Sequence, residues 1–211
     1  MTPSLHRLAT AAGIIGPAAF TAAWLISGTR QPPEYSHRHE HISGLAAQDA
    51  RNPEILTAGF VEMGFATMAF AVALRQRLGG RRAGLGPILL GLTGLGAIGA
   101  GIFPRDRMLL HPPDQPDDYR QTWKNDGHDA SAGLIYVSSV AAPIFLYKHL
   151  RNDPQLAPMA PVGIALSAAS LGLMAFFAAE VDRPHNGLVQ RAMVSLPMGF
   201  MSAMAVRMLT E

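Results

Sequence analysis

Cysteine is missing altogether, which excludes disulfides, thiolate nucleophiles and cysteine-held metals from the start. Charge is the next scarcity: Asp, Glu, Lys and Arg make up 15% of the chain, against roughly 25% in soluble domains. The arginines are scattered through short loops and form no stripe, so no nucleic-acid partner is expected despite a pI near 9.3. No Gly-Lys-Ser/Thr follows the glycine-dense stretch around Gly91–Gly101, which removes a phosphate loop. Internal repeats and low-complexity tracts are lacking too.

What the chain does have is apolar length. Six windows are nearly free of charge: Leu8–Ser27, Ile55–Leu74, Gly84–Phe103, Ala130–Tyr147, Ala160–Ala179 and Leu188–Leu209. Each is close to the ~20 residues that cross a hydrocarbon core. Together they use more than half of the 211 residues, more than a soluble core of that size could bury. The expected fold is all-α: a polytopic membrane protein with six transmembrane helices in one bundle, residues 1–211 forming a single integral membrane domain. The first run exceeds a signal-peptide core, and no clear small-x-small site follows Ser27, so it reads as a span. Short basic segments at Arg7, Arg75–Arg82, Lys148–Arg151 and Arg207 place both termini in the cytoplasm by the positive-inside rule, with the cell membrane as location. The opposite side holds two long loops, Gly28–Glu54 and Pro104–Asp129, and a turn at Glu180–Gly187. Loops this long are more often functional than passive. In the third span, Thr93–Ala97–Gly101 and Gly96–Ala100 set small residues four apart, a signal for close helix contact.

Polar residues collect at the end bearing the long loops. Glu62 lies within the second span, at a depth where an ionisable group costs several kcal/mol and usually has a task. Gln190 and Arg191 begin the sixth span, Glu180 and Asp182 leave the fifth, Asp106 follows the third, and His128 with Asp129 precedes the fourth. Five of the six helices thus bring polar chemistry to one end, which points to a pocket. Glu62, Asp106, His128, Asp182 and Arg191 are the candidate catalytic residues. A simpler role for Glu62 is pairing with Arg191 to hold helix against helix. Trp24, Phe65, Phe103, Trp123 and Tyr136 are candidate substrate-binding rings, able to face a cation with their π systems. Met193, Met198, Met201, Met204 and Met208 read as ordinary packing or as a wall for a greasy ligand. The run His37-Arg38-His39-Glu40-His41 could converge three imidazoles, yet it lacks recognised zinc spacing, and no His lies deep in a span to hold haem. No metal and no cofactor are expected.

Several segments together carry a resemblance: Pro33-Glu34-Tyr35, Ile42-Ser43-Gly44-Leu45, Gly101-Ile102-Phe103-Pro104-Arg105-Asp106, His128 with Gly133-Leu134, and Gly187-Leu188-Val189-Gln190-Arg191. In these the chain resembles the bacterial six-helix membrane-protein family catalogued as domain of unknown function 998. The resemblance spans nearly the whole chain and implies the fold, while Glu62 stands outside the pattern. A second resemblance, to small membrane-bound terpene cyclases, rests on the single early-span acid Glu62. It implies a carboxylic acid that protonates an alkene or epoxide, and aspartate-rich metal motifs are absent. The leading expectation is therefore a membrane-embedded cyclase that protonates a prenyl or terpenoid chain, with Glu62 as general acid. Beside it stand a non-catalytic scaffold or lipid-binding protein and, third, a proton-coupled transporter. The expected partners are an apolar prenyl or terpenoid small molecule and membrane lipid; oligomeric state is left open.

Overall fold

The computed structural model describes residues 1–108, 120–179 and 184–210, and among them every regular element is helical. The six long helices are α1 (Pro3–Thr29), α2 (Pro53–Arg77), α3 (Gly86–Ile102), α4 (Trp123–Arg151), α5 (Met159–Ala179) and α6 (Asn186–Leu209). Short 3-10 turns occupy Ile42–Ala46 and Gly80–Ala83. Five of the six are long and apolar enough to cross a membrane; α3, with 17 residues, is shorter. At 1.5 Å per residue α3 spans about 26 Å, less than the ~30 Å of a typical hydrocarbon core. This is a multi-pass membrane bundle.

The helix ends follow local chemistry. Thr2 caps α1 by accepting from the Leu5 N–H, with Pro3 at the first helical position. At α2, Glu54 sits in the first turn and Arg75 and Arg77 in the last, complementing the helix dipole. Gly84, at φ 69°, keeps α3 from starting where its apolar window begins, and Pro104 closes it behind Phe103. α4 departs from expectation. Thr122 accepts from the Asn125 N–H and starts the helix at Trp123, well before the apolar window at Ala130. His128 and Asp129 therefore stand on the first turns of α4 and not in a loop before it. Apolarity marks where a helix crosses lipid, whereas the cap marks where it begins.

The helices pack in chain order, each against its neighbours, and α6 returns against α1 to close a ring. Outward-facing side chains such as Leu8, Ile15, Phe65, Val72, Leu95 and Leu171 are exposed, as a lipid-facing surface requires. The ring is filled at two levels. Near the end carrying both termini, Phe70, Leu74, Leu146, Leu150, Phe200 and Met204 form one cluster. At the opposite end, Phe20, Ile42, Leu45, Leu56, Phe60 and Met108 form another. The second cluster is built partly from the loop between α1 and α2, which folds into the mouth of the ring and buries Leu45, Ala46 and Ala47 completely. At the termini end the Arg77 Nε donates to Asp153 Oδ2 at 2.7 Å, tying α2 to the α4–α5 connection. Burial pushes the Asp153 carboxyl up, but the hydrogen bonds from Arg77 and the Leu156 N–H outweigh it and hold it below its ordinary range.

The small residues of α3 do what their spacing suggests. A methyl group on Gly94 would lie 2.6 Å from the Gly64 carbonyl oxygen of α2, and one on Gly96 would lie 2.9 Å from the Ser131 carbonyl oxygen of α4. Gly91 has nothing nearby. Gly94→Ala is expected to cost about 1–3 kcal/mol through forced separation of α2 and α3. Gly91→Ala should be neutral or slightly stabilising. Thermal unfolding in detergent micelles compares the two, and equal melting temperatures would contradict the close approach.

Candidate functional site

Arg191, in the second turn of α6, is 7% exposed and organises the mouth of the ring. Its Nη1 donates to the carbonyl oxygens of His37 at 2.6 Å, Glu40 at 2.7 Å and Gly187 at 2.9 Å. Its Nη2 donates to the Tyr35 hydroxyl and to His37 Nδ1, both at 2.9 Å. The guanidinium also lies over the Trp24 ring, 5.1 Å from its centroid. Because His37 Nδ1 accepts, its ring proton is assigned to Nε2. The close seating of the loop depends on Gly187, where a methyl group would lie 2.5 Å from the Glu40 carbonyl oxygen. One residue earlier than Arg191, Gln190 Oε1 accepts from the Ile42 N–H at 2.6 Å. The first turns of α6 thus pin residues 35–42 across the ring.

Beneath that roof lies a cavity of about 310 Å³ between the two packed clusters, at the small end of ordinary ligand pockets. Away from the roof its lining is mostly apolar, with Leu90, Ala97, Met198 and Met201 and the hydroxyls of Thr67, Thr93 and Ser139, while Phe20 and Phe60 reach it from the mouth-end cluster. The part under the roof is polar: His41, Ser43, Arg105, His128, Tyr136 and Gln190 line it, with Asp129. His128 is buried, and its Nδ1 lies 3.1 Å from the Ala100 carbonyl oxygen and 2.8 Å from that of Phe103. These carbonyls end α3 and need donors. Nδ1 therefore carries the proton, which leaves Nε2 as an acceptor. Tyr136 lies close enough to Gln190 to interact with its side chain. His41 packs against Phe177 at 5.0 Å. Burial, then the charges of Arg105 and Arg191, push its imidazole down to about 4.

The structure brings together some of the expected residues and separates others. His128 and Tyr136 line the cavity. Arg191 stands one layer outward, bracing the roof, with Trp24 under its guanidinium. Glu62 neither lines the cavity nor pairs with Arg191; its Oε2 is buried without a hydrogen-bond partner. The expected Glu62–Arg191 pair is replaced by carbonyl partners, because the folded loop delivers them directly to the guanidinium. Asp106 accepts from the Thr122 N–H at 2.8 Å and from Gln48, shaping the approach to α4 outside the cavity. Phe65 is 61% exposed and Trp123 68% exposed. Phe103 packs against Trp123 at 6.1 Å, away from the cavity. Asp182 lies outside the described residues. No cluster of metal-binding side chains forms among the described residues, and the 37–41 run offers its carbonyls to Arg191. Of the methionine wall, Met193, Met198 and Met201 face the cavity, while Met204 and Met208 belong to the packed cluster near the termini.

Sequence reasoning gave no site role to Arg105, Ser43, Phe20 and Phe60, and it weighed His41 only as a metal ligand. Arg105 and Ser43 lie inside segments quoted for their resemblance, which was a usable signal. Phe20 and Phe60, 4.9 Å apart, look like any other apolar residue of a span. The resemblance segments meet in space: Tyr35 and Arg191, Ile42 and Gln190, Ser43 and Arg105 are all hydrogen-bonded pairs. The family described as "Protein of unknown function (DUF998)" matches residues 14–207. No curated protein and no solved structure matches the chain.

Two outcomes follow for stability. Arg191→Lys keeps the charge but cannot satisfy five acceptors, so it should cost about 2–4 kcal/mol by leaving buried carbonyls unpaired, read as a lower melting temperature. His37 and His41 both titrate below their ordinary value of 6.5 in the fold. The stability gained by keeping them neutral is complete above pH 6.5 and is lost as the pH falls from there toward about 4. Melting temperature should drop across that window, and His41→Gln should flatten the drop.

Proposed function

The chain belongs to that family of unknown function, and from this premise we propose that it is a multi-pass protein of the cell membrane that binds one prenyl or other lipid-like chain inside its helix ring. The observation that carries this reading is the polarity gradient of the cavity: a mostly apolar, methionine-rich depth beneath a cluster of charged and hydrogen-bonding groups. A chain molecule with a polar head matches both halves. Methionines adapt to irregular apolar partners, which suits a flexible chain. Lipid molecules around the bundle are the natural source of such a ligand.

Cyclisation of the bound chain is the second reading, favoured by the Phe20 and Phe60 rings on the cavity wall, where π faces can meet a cationic centre. Its acid would be Asp129, the carboxylate on the cavity wall among the described residues, whose Oδ2 already accepts from the side-chain amides of Gln121 and Asn125. Glu62, off the cavity, is not needed by either reading.

Purified protein in detergent is titrated with radiolabelled geranylgeraniol, and the recovered ligand is analysed by mass and retention time. Saturable binding of one molecule per chain is expected. Ala97→Phe, placed on the cavity wall, should weaken it by about tenfold or more, close to 1.4 kcal/mol, while Glu62→Gln should not. Absence of saturable binding, or indifference to Ala97→Phe, would remove the reading. A cyclised product that disappears in Asp129→Asn would move the assignment to the second.

A further inference from the structure

We infer that the polar end of the cavity is built for a singly charged oxyanion, so that the bound chain carries an acidic head such as a carboxylate. This rests on the proposed chain-binding role of the cavity. The carrier is Arg105, on the segment that follows α3 and on the cavity wall. A guanidinium has five N–H donors and no acceptor. In Arg105 the Nη1 donates to Ser43 Oγ at 3.4 Å, a long contact, and the Nε is buried with no partner. No carboxylate lies within salt-bridge distance of it among the described residues.

The other buried or half-buried arginines set the contrast. Arg191 also leaves its Nε without a partner, but its two Nη atoms are committed to three carbonyls, a hydroxyl and an imidazole, and it does not line the cavity. Arg77 is paired with Asp153. Arg105 alone combines a place on the cavity wall with an unsatisfied buried donor. A half-buried cation with a buried donor left unpaired is costly, and an oxyanion offering two lone-pair-rich oxygens meets a guanidinium's fork geometry.

The neighbours refine the choice. Arg105 is close enough to His41, His128 and Tyr136 to interact with them electrostatically. Ser43 and Tyr136 add hydroxyl donors on the same wall. Asp129, an exposed acidic side chain at the edge of the same wall, disfavours a second negative charge on the ligand. His128, with Nδ1 committed to the end of α3, presents Nε2 as an acceptor that can take a head-group proton. One negative charge, two acceptor oxygens and at most one proton describe a carboxylate better than a phosphate dianion.

The test uses three probes of identical chain: geranylgeranic acid, geranylgeraniol and geranylgeranyl monophosphate, each titrated into purified full-length protein at pH 7.5. The acid should bind about tenfold or more tighter than the alcohol, the magnitude of one charge-assisted contact. Arg105→Gln should bring the acid down to the level of the alcohol, and Arg105→Lys should keep part of the preference. Circular dichroism and melting temperature confirm that the variants remain folded. Equal binding of acid and alcohol to the wild type, or an undiminished preference in Arg105→Gln, would overturn the inference while leaving the chain-binding role standing. Monophosphate binding weaker than the acid supports a single charge; tighter binding overturns it in favour of a phosphate head. If none of the three binds, the chain-binding role itself fails and this inference falls with it.

Discussion

A guanidinium buried at the start of a membrane helix must be surrounded by acceptors, and that requirement shapes this protein. Arg191 does not pair with Glu62; it draws in backbone carbonyls from a loop that is distant in sequence, and the Glu40 carboxylate of that loop is near enough to act on its charge. Desolvating a lone cation at this depth would cost several kcal/mol. The loop therefore cannot be a loose connector: its backbone is the counterpart of the charge. Once residues 35–42 are held there, Ile42 and Leu45 drop into the ring and seal it. The cavity below exists because the roof is fixed by polar contacts at its edge and does not collapse onto the methionines beneath.

The ring geometry supplies the other half of the arrangement. Six helices packed in chain order enclose more space than their side chains fill, unless bulky residues are placed at every level. Here the large residues are concentrated near the two ends, while between them Ala97, Thr67 and Thr93 leave room. Glycine contacts draw α2, α3 and α4 close. Packing that dense on one side of the ring, with small residues lining the interior, makes a rigid wall against which a chain can lie.

How much of this could be read beforehand follows from the type of signal. The six spans were legible because crossing a bilayer imposes length and apolarity on consecutive residues. The start of α4 was not, since its polar first turns carry a capping signal and no apolar one. For the site, Arg191 and His128 were legible as polar groups at a shared depth and Tyr136 as an aromatic ring near the same end. The partner of Arg191 was not, because backbone carbonyls leave no trace in side-chain identity. Glu62 drew attention for its depth within a span, yet depth along a helix says nothing about which way the residue faces around it. Arg105 illustrates the reverse: an unremarkable loop arginine becomes informative only when the space around it shows that no carboxylate has come to meet it.

The shortness of α3 reaches beyond the protein. A helix some 4 Å shorter than the hydrocarbon thickness is accommodated by a locally thinned bilayer, at a cost of fractions of a kcal/mol per Å. The segment that emerges from its end carries Arg105. A head-group region drawn inward on that side of the ring would approach the level of the guanidinium, and hydrophobic mismatch would then couple membrane thickness to the charged end of the cavity. A thicker, sterol-like membrane would work against that dip, and a thinner one would favour it.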